Sequence, residues 1–351
     1  MIRLAAYHEA MHEEWDRLAL SRGSVFHTTG FRRILLDSFG YQCSYQAIVD
    51  STGRIGGLIP LITGRNLGLM RLAVSLPFAN QVDICAENEI LVQYALSELP
   101  RLRQKLAVDK LQIRLKDQDV DRSQWSANLD NYTFMLPLLS DEQQTLALAS
   151  ASCRNHVRKA YRNKWFEVSF ESGRLADFYQ VYVRRMKQLG SPAPAPDFFC
   201  RFFEYLPDQA ALLTVLDSQS HRVVGGMLLL TSPGDETLYY PYGATLVEYN
   251  HHYLNNFMYW EAVKHGIRSG MKQLDLGRSQ TGSGTFRYKT QWGATPVQLK
   301  YLECGDASGS VGGKVVKSDR EQLSGLIELW KHIPGFVTNP LGERLIKYLF
   351  P

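Results

Sequence analysis

At roughly 150 residues per domain, a chain of 351 residues predicts two domains, and 45% hydrophobic with 21% charged residues, 14 Pro and 27 Gly exclude disorder and collagen-like repeats. No stretch reaches the ~18 apolar residues of a spanning helix. Charge appears too early in Met1-Ile-Arg-Leu-Ala-Ala-Tyr-His-Glu9 for a signal peptide, so a cytoplasmic protein is expected. Cys43, Cys85, Cys153, Cys200 and Cys304 are odd in number and lie far apart, without a CxxC pair. That argues against structural zinc and a disulfide framework and for a reducing compartment.

In chain order, the first half predicts helices followed by a strand, the turn Asp50-Ser-Thr-Gly53 and a second strand at 54–62 carrying Gly56-Gly57. A third strand at 69–76, a helix at 87–106, a strand at 110–115 and a last strand at 132–136 complete it. The second half repeats the order. The turn Asp217-Ser-Gln-Ser-His221 leads into a strand at 222–230 with Gly225-Gly226. A strand at 237–242, a helix at 251–269, a strand at 272–276 and a last strand at 296–302 follow. The expected fold is therefore α/β (α+β): tandem duplicated domains, each a mixed twisted sheet flanked by helices. Residues 1–139 form the first and 140–304 the second, with a linker and short helical tail at 305–351. The paired glycines mark places where backbone approaches backbone or ligand. Within the tail, 321–332 has helical spacing of Leu323, Leu326, Ile327 and Trp330, and 339–350 is a second candidate helix. Their apolar faces dock back on the domains, with peripheral membrane contact as the alternative.

Charge is informative when split. Residues 1–139 hold 15 basic and 15 acidic side chains, so the net +4 lies in the second half. Five of its cations, Arg154, Arg158, Lys159, Arg162 and Lys164, crowd one predicted helix, where the arginines repeat every fourth residue and share a face. That stripe suits an anionic substrate, carrier or polymer, or is a solvated face; the modest net charge implies no DNA partner.

Three motifs need weighing. His8-Glu9-Ala-Met-His12 has the zinc-hydrolase spacing but lacks a third ligand downstream, so no metal is expected. Gly312-Gly-Lys314-Val misses the phosphate-loop pattern at two positions. His251-His252 follows Asn250, a candidate N-cap, and is expected to have a helix-terminal structural role. More informative is Asp275-Leu-Gly-Arg278-Ser-Gln-Thr-Gly282-Ser-Gly284-Thr-Phe-Arg287-Tyr-Lys289, with Gly293 as the expected helix end. A strand gives way to a small-residue loop and a short helix, so backbone N–H groups and three cations surround one point. The pattern fits a phosphate or a developing oxyanion, and equally a plain turn with solvated charges.

Taken together these segments resemble the FemAB-like branch of the GNAT acyltransferase superfamily. The resemblance rests on Arg154-Asn155-xx-Arg158-Lys159-Ala, Val224-Gly-Gly, Tyr240-Pro-Tyr242-Gly-Ala and Trp260-Glu-Ala. It rests further on Asp275-Leu-Gly-Arg278 and Gly284-Thr-Phe-Arg-Tyr-Lys289-xx-Trp-Gly293. The first half adds Phe26-His-Thr-Thr-Gly-Phe, Gly57-Leu-Ile-Pro-Leu and Ser75-Leu-Pro-Phe78, and the tail, with Trp330-Lys-His-Ile-Pro and Asn339-Pro-Leu-Gly, resembles the exosortase/PEP-CTERM-associated exopolysaccharide subgroup.

The resemblance implies metal-independent transfer of an acyl or aminoacyl group to an amine of a cell-envelope or exopolysaccharide precursor, in a cleft near the domain junction. It implies Lys289 as oxyanion donor and Tyr242 as a catalytic residue positioning substrate or relaying a proton. Arg278 with Gly282, Gly284 and Arg287 would hold phosphate, and Arg154, Asn155 and Arg158 would line the entrance. No cofactor is expected to stay bound; the co-substrate is acyl-CoA or an acyl carrier protein. Aminoacyl-tRNA is disfavoured, because residues 173–205 are too short for the long helical arm common in tRNA-using Fem enzymes. No general base emerges, and the first half, lacking a cationic glycine loop, is expected to be scaffold. A non-catalytic module gripping an anionic polymer or nucleic acid through the 154–164 helix is the alternative.

Overall fold

The computed structural model describes residues 2–121, 123, 125–305 and 324–350. The polar stretch 306–313, Gly312-Gly-Lys314 and the start of the helix expected at 321–332 lie outside them. The first half runs β1 (Arg3–Ala6), α1 (His12–Arg22), α2 (Thr29–Phe39), β2 (Gln42–Cys43), β3 (Gln46–Val49), β4 (Ile55–Ile59), β5 (Ile62–Arg65), β6 (Arg71–Val74), β7 (Cys85–Ala86), α3 (Glu89–Lys105), β8 (Lys110–Leu115), β9 (Ser126–Asn128) and β10 (Asn131–Pro137). Next come α4 (Glu142–Ala147), α5 (Ala151–Arg162), β11 (Phe166–Ser169), α6 (Leu175–Gln188), α7 (Pro196–Tyr205), β12 (Ala210–Asp217), β13 (Val223–Ser232), β14 (Thr237–Thr245) and α8 (Leu254–Arg268). The chain closes with β15 (Gln273–Asp275), β16 (Ser279–Gln280), α9 (Gly284–Thr290), β17 (Thr295–Gln298), β18 (Lys300–Gly305), α10 (Ser324–His332) and α11 (Gly335–Leu345).

Local chemistry accounts for most of these bounds. Asn88 caps α3 by accepting from Leu91 N, and Val92, Ala95, Leu96, Leu99 and Leu102 form its buried face at helical spacing. Thr28 caps α2, which ends on Gly40 in the left-handed region. Ser150 caps α5, whose Cys153, Val157 and Ala160 face inward and so turn the arginine stripe outward. Pro60 has no N–H to give a ladder, and there β4 breaks from β5; the facing chain breaks between β2 and β3, bridged by Ser44 N donating to Leu61 O at 2.9 Å. Two first-half sheets result, β1-β3-β4-β7 and β2-β5-β6-β8-β18-β9. The second half builds one, β11-β12-β13-β14-β15-β10-β16, with β17 also on β10. The paired-glycine strands do mark close approach: a Cβ on Gly57 would lie 2.6 Å from Ile48 Cδ1, and one on Gly226 2.7 Å from the Phe178 ring.

One expectation needs correction: the last strands of the two halves are exchanged. β10, expected to close the first half, pairs antiparallel with β15, β16 and β17 of the second. The strand expected at 296–302 is two strands: β17 stays in the second half, while β18 crosses to β8 and β9 of the first. Side chains explain the choice. Phe134 and Leu136 of β10 bury among Leu274, Phe257 and Trp292, whereas Leu302 and Cys304 of β18 bury among Leu111, Ile113 and Leu99. A third core joins the halves, packing Phe26, Phe31, Phe39 and Phe78 against Phe178, Phe198, Phe199, Phe202 and Tyr239.

The tail docks back. Phe350 is buried against Tyr41, whose hydroxyl donates to Lys347 O at 2.6 Å, and buried Arg114 donates to Phe350 O at 2.7 Å. No helix among the described residues is long and apolar enough to cross a membrane.

Candidate active site

β14 and β15 are parallel neighbours joined through α8, paired only from Thr237–Tyr239 to Gln273–Asp275. Beyond that point β14 continues to Thr245 while the other chain turns away at Leu276 and Gly277. A gap therefore opens past the carboxyl ends of two parallel strands, the usual place for a ligand in a mixed sheet. It holds a narrow pocket, lined by Tyr239, Tyr240, Pro241, Asp275 and Gly277 of the second half and by Phe26, Phe78, Asn80 and Gln81 of the first. The first half thus supplies four of the nine lining residues. Sequence reasoning missed Asn80 and Gln81 because nothing local ties 80–81 to 275–277; the Ser75-Leu-Pro-Phe78 motif just before them was the available signal.

Charge at the pocket is tightly held. Asp275, 2% exposed, accepts from Thr133 Oγ1 and Gly277 N (2.7 Å) on Oδ1 and from Gln81 Nε2 (3.0 Å) on Oδ2. Three donors thus hold this carboxylate in place. Gln81 Oε1, by contrast, is buried with no partner among the described residues, an unusual state for a buried acceptor.

Lys289 lies on α9 and is 6% exposed. Its Nζ donates to the carbonyls of Gly277 (2.8 Å) and Arg278 (3.0 Å) and lies 5.3 Å from the centre of the Phe134 ring, so one proton has no hydrogen-bond acceptor among the described residues. Burial pushes its pKa down to about 8, with Asp275 opposing and Arg278 adding to the shift. Gly277 has φ +78, and a Cβ there would stand 3.6 Å from Asn80 Nδ2, 3.7 Å from Tyr240 O and 3.9 Å from Lys289 Nζ. The missing side chain keeps a gap open between an amide of one half and an ammonium of the other.

Arg278 stands exposed beside this point, its Nη1 donating to Tyr301 Oη at 3.1 Å, while that hydroxyl donates to Asn80 O at 2.7 Å. Gly282 (φ +76) and Gly284 leave open space around the loop, and Arg287 is exposed. The loop is less bare than expected, since Ser283 Oγ accepts from Phe286 N, and α9 stops at Thr290 rather than Gly293.

Other expected residues lie elsewhere. Tyr242 is buried among Phe198, Phe199 and Phe202 and donates its hydroxyl to Phe78 O at 3.1 Å, so its proton is fixed in the wall between the halves rather than poised for relay. Arg154 points Nη1 back at the carbonyls of Ala147 and Ala149 at the end of α4. Asn155 and Arg158 are exposed on α5 and, like Arg154, do not line the pocket. Asn250 does not cap α8: residues 247–252 form a 3-10 turn, and the N-cap is Tyr253 at φ +62. His8 is extended, ahead of the short turn that precedes α1, and His12 begins α1, so the two histidines do not share a helix face. Among the described residues no group of three or more His, Cys, Asp or Glu could hold a metal ion.

Residues 149–290 match the family model of the acetyltransferase (GNAT) domain. No curated protein matches the chain. Among solved structures, the crystal structure of FemX aligns with TM-score 0.67 and 12% identity over 86% of this chain and 96% of its own. The structure of L-PGS from Bacillus licheniformis aligns at 0.54 and 11% over 88% and 98%. A tandem GNAT protein of the clavulanic acid biosynthesis pathway aligns at 0.54 and 10% over 88% and 100%. At such identities these likenesses establish the fold.

Proposed function

We propose that the protein, whose residues 149–290 match the acetyltransferase (GNAT) family model and whose fold is similar to that of FemX and of a tandem GNAT protein, is an N-acyltransferase working in the cleft between its halves. The observation that carries this reading is Lys289. A buried ammonium with one proton lacking a hydrogen-bond acceptor among the described residues stands beside a side-chain-free gap, where the carbonyl oxygen of an acyl donor would gain negative charge. Amine attack on a thioester forms the C–N bond and places charge on that oxygen; collapse breaks the C–S bond, and the amine proton leaves with the thiolate. A preorganised donor at the oxyanion contributes about 3–4 kcal/mol. Gln81 Oε1 is the acceptor on hand for an amine N–H. With Asp275 committed to three donors, positioning supplies much of the remaining rate.

Arg278, with Arg287 and the loop at Gly282 and Gly284, would hold donor phosphate at the cleft mouth. An acyl-CoA or acyl-carrier-protein thioester is favoured over aminoacyl-tRNA, because only residues 189–195 join α6 to α7 and both helices pack into the core. The acceptor class, an amine on a cell-envelope or exopolysaccharide precursor met in the cytoplasm, follows from the family resemblance. A second reading, a non-catalytic module gripping an anionic polymer, is favoured by Arg158 and Arg162, which have no ion-pair partner among the described residues.

Thermal shift with CoA, acetyl-CoA and bulk tRNA separates these readings. A ligand at 100 times its Kd stabilises the fold by about 2.7 kcal/mol. A CoA shift that weakens in Arg278→Ala supports the thioester reading. Saturable tRNA binding redirects it to the aminoacyl route. Binding of polyanions alone, lost in Arg158→Gln/Arg162→Gln, favours the module.

A further inference from the structure

A second concavity, of about 400 Å³, lies outside the cleft, where the tail meets the first-half sheet. Phe39, Tyr41 and Tyr348 give it aromatic walls, and Arg65, Arg71 and Lys347 line it with three cations. None of the three has an ion-pair partner among the described residues. Asp109 is near, but toward Arg71 its carboxylate accepts the backbone N–H (2.7 Å), while the guanidiniums of Arg65 and Arg71 make long contacts to the carbonyls of Leu69 (3.4 Å) and Leu106 (3.5 Å). Docking of the tail brings Lys347 and Tyr348 to this place.

Arg65 and Arg71 are cross-strand partners at the end of the β5–β6 hairpin. The chain between them presents Leu67, Leu69 and Met70 to solvent, 50%, 71% and 39% exposed. The tip is built rather than frayed: Asn66 Oδ1 accepts from Met70 N, Asn66 O accepts from Leu69 N, and Leu69 is held at φ +63. Three apolar side chains are thus displayed in water beside a cationic cavity. A soluble anion would answer the charges and leave those side chains wet. A bilayer with anionic headgroups answers both, since phosphate fits among the cations and the tip enters the acyl boundary.

We propose that this hairpin and the tail form a peripheral docking site for an anionic lipid surface, with one headgroup phosphate held by Arg65, Arg71 and Lys347. The site is separate from the cleft and does not depend on the acyltransfer reading. The test is co-sedimentation of the full chain with phosphatidylcholine vesicles, pure or with one-third phosphatidylglycerol. The mixed vesicles should bind it, less so as salt rises, and the pure ones should not. Each cation near the surface is worth about fivefold in affinity, so Arg65→Gln/Arg71→Gln should lose roughly 25-fold. Arg65→Lys/Arg71→Lys should retain binding, and Leu67→Ser/Leu69→Ser should weaken it, all with unchanged melting. The proposal is overturned if mixed vesicles do not bind, if the glutamine pair binds like wild type, or if loss appears only in Arg158→Gln/Arg162→Gln on α5. It is also overturned if inorganic phosphate raises the melting point through Arg65 and Arg71 while vesicles do not bind, which would give the cavity to a soluble phosphate.

Discussion

Each half contains a parallel strand pair joined through a helix, β6–α3–β8 in the first and β14–α8–β15 in the second, and the two pairs end differently. In the first, the chain leaving β6 stays against its neighbour: Ser75 N donates to Gln112 O at 2.9 Å, Val82 N to Arg114 O at 2.7 Å, and Ser75 Oγ accepts from Arg114 N at 2.8 Å. In the second, pairing ends at Tyr239 and Asp275, and no backbone hydrogen bond among the described residues carries the ladder past them. The stitched end yields rigidity, and its loop then supplies Phe78, Asn80 and Gln81 to the open end. On the proposed reading, one strand pair braces the fold and the other opens onto the acyltransfer cleft.

The sharpest way to break this comparison is at the two buried cations. Lys289→Met should lower kcat by about 10²–10³-fold, as removal of an oxyanion donor does, without loss of CoA binding. An unchanged kcat would leave Lys289 as a clamp on Gly277 and Arg278 and remove the main support for catalysis. Arg114→Met at the stitched end should instead act on stability. Its guanidinium is fully buried and donates to Ala79 O, Phe350 O and Gln112 Oε1. Stranding these acceptors costs about 3 kcal/mol, read as a lower denaturation midpoint.

Two buried bases sharpen the contrast through pH. His27 Nε2 faces the Asp83 carbonyl, which can only accept, and Nδ1 faces Ser24 N–H, which can only donate, so the neutral ring satisfies both. Burial holds its pKa down at about 4. The folded state therefore binds its proton more weakly than the unfolded one. Stability is fully present above pH 6.5 and is lost as pH falls toward 4, by about 3 kcal/mol in total. For Lys289, also depressed, stability rises between pH 8 and 10.5. Denaturation curves should show the acid step in wild type but not in His27→Gln, and the alkaline rise in wild type but not in Lys289→Met. Because catalysis through Lys289 requires its proton, kcat should fall above pH about 8.

Most of the elements were legible because their signals are local. Gly40 ends α2, Asn88 starts α3, and 110–115 alternates as β8 does. The last strands were misassigned because β10 and β18 are both short apolar runs. Only the shape of the distant core, Phe257 and Trp292 for one and Leu111 and Leu99 for the other, decides which sheet each joins. The same limit applied at the site. Lys289 stood out within one segment, whereas Gly277 and Gln81 have meaning only opposite Asn80 and Asp275, and Tyr242 looked reactive until its hydroxyl was seen to be spent on Phe78.

The smallest expected effect isolates the open gap itself. Gly277 (φ +78) and Gly53 (φ +91) both hold the left-handed region, so an alanine at either should cost about 1–2 kcal/mol of stability. Gly53 lies in the Asp50 turn of the first half, and a Cβ there meets nothing within 4 Å. At Gly277 the same methyl would stand among Asn80 Nδ2, Tyr240 O and Lys289 Nζ, in the space assigned to the reacting carbonyl. Gly277→Ala and Gly53→Ala should therefore melt alike but differ in turnover, Gly277→Ala alone losing kcat. Equal activity in the two would mean that the carbonyl does not approach over Gly277, and that the gap between β14 and β15 is a seam of the fold.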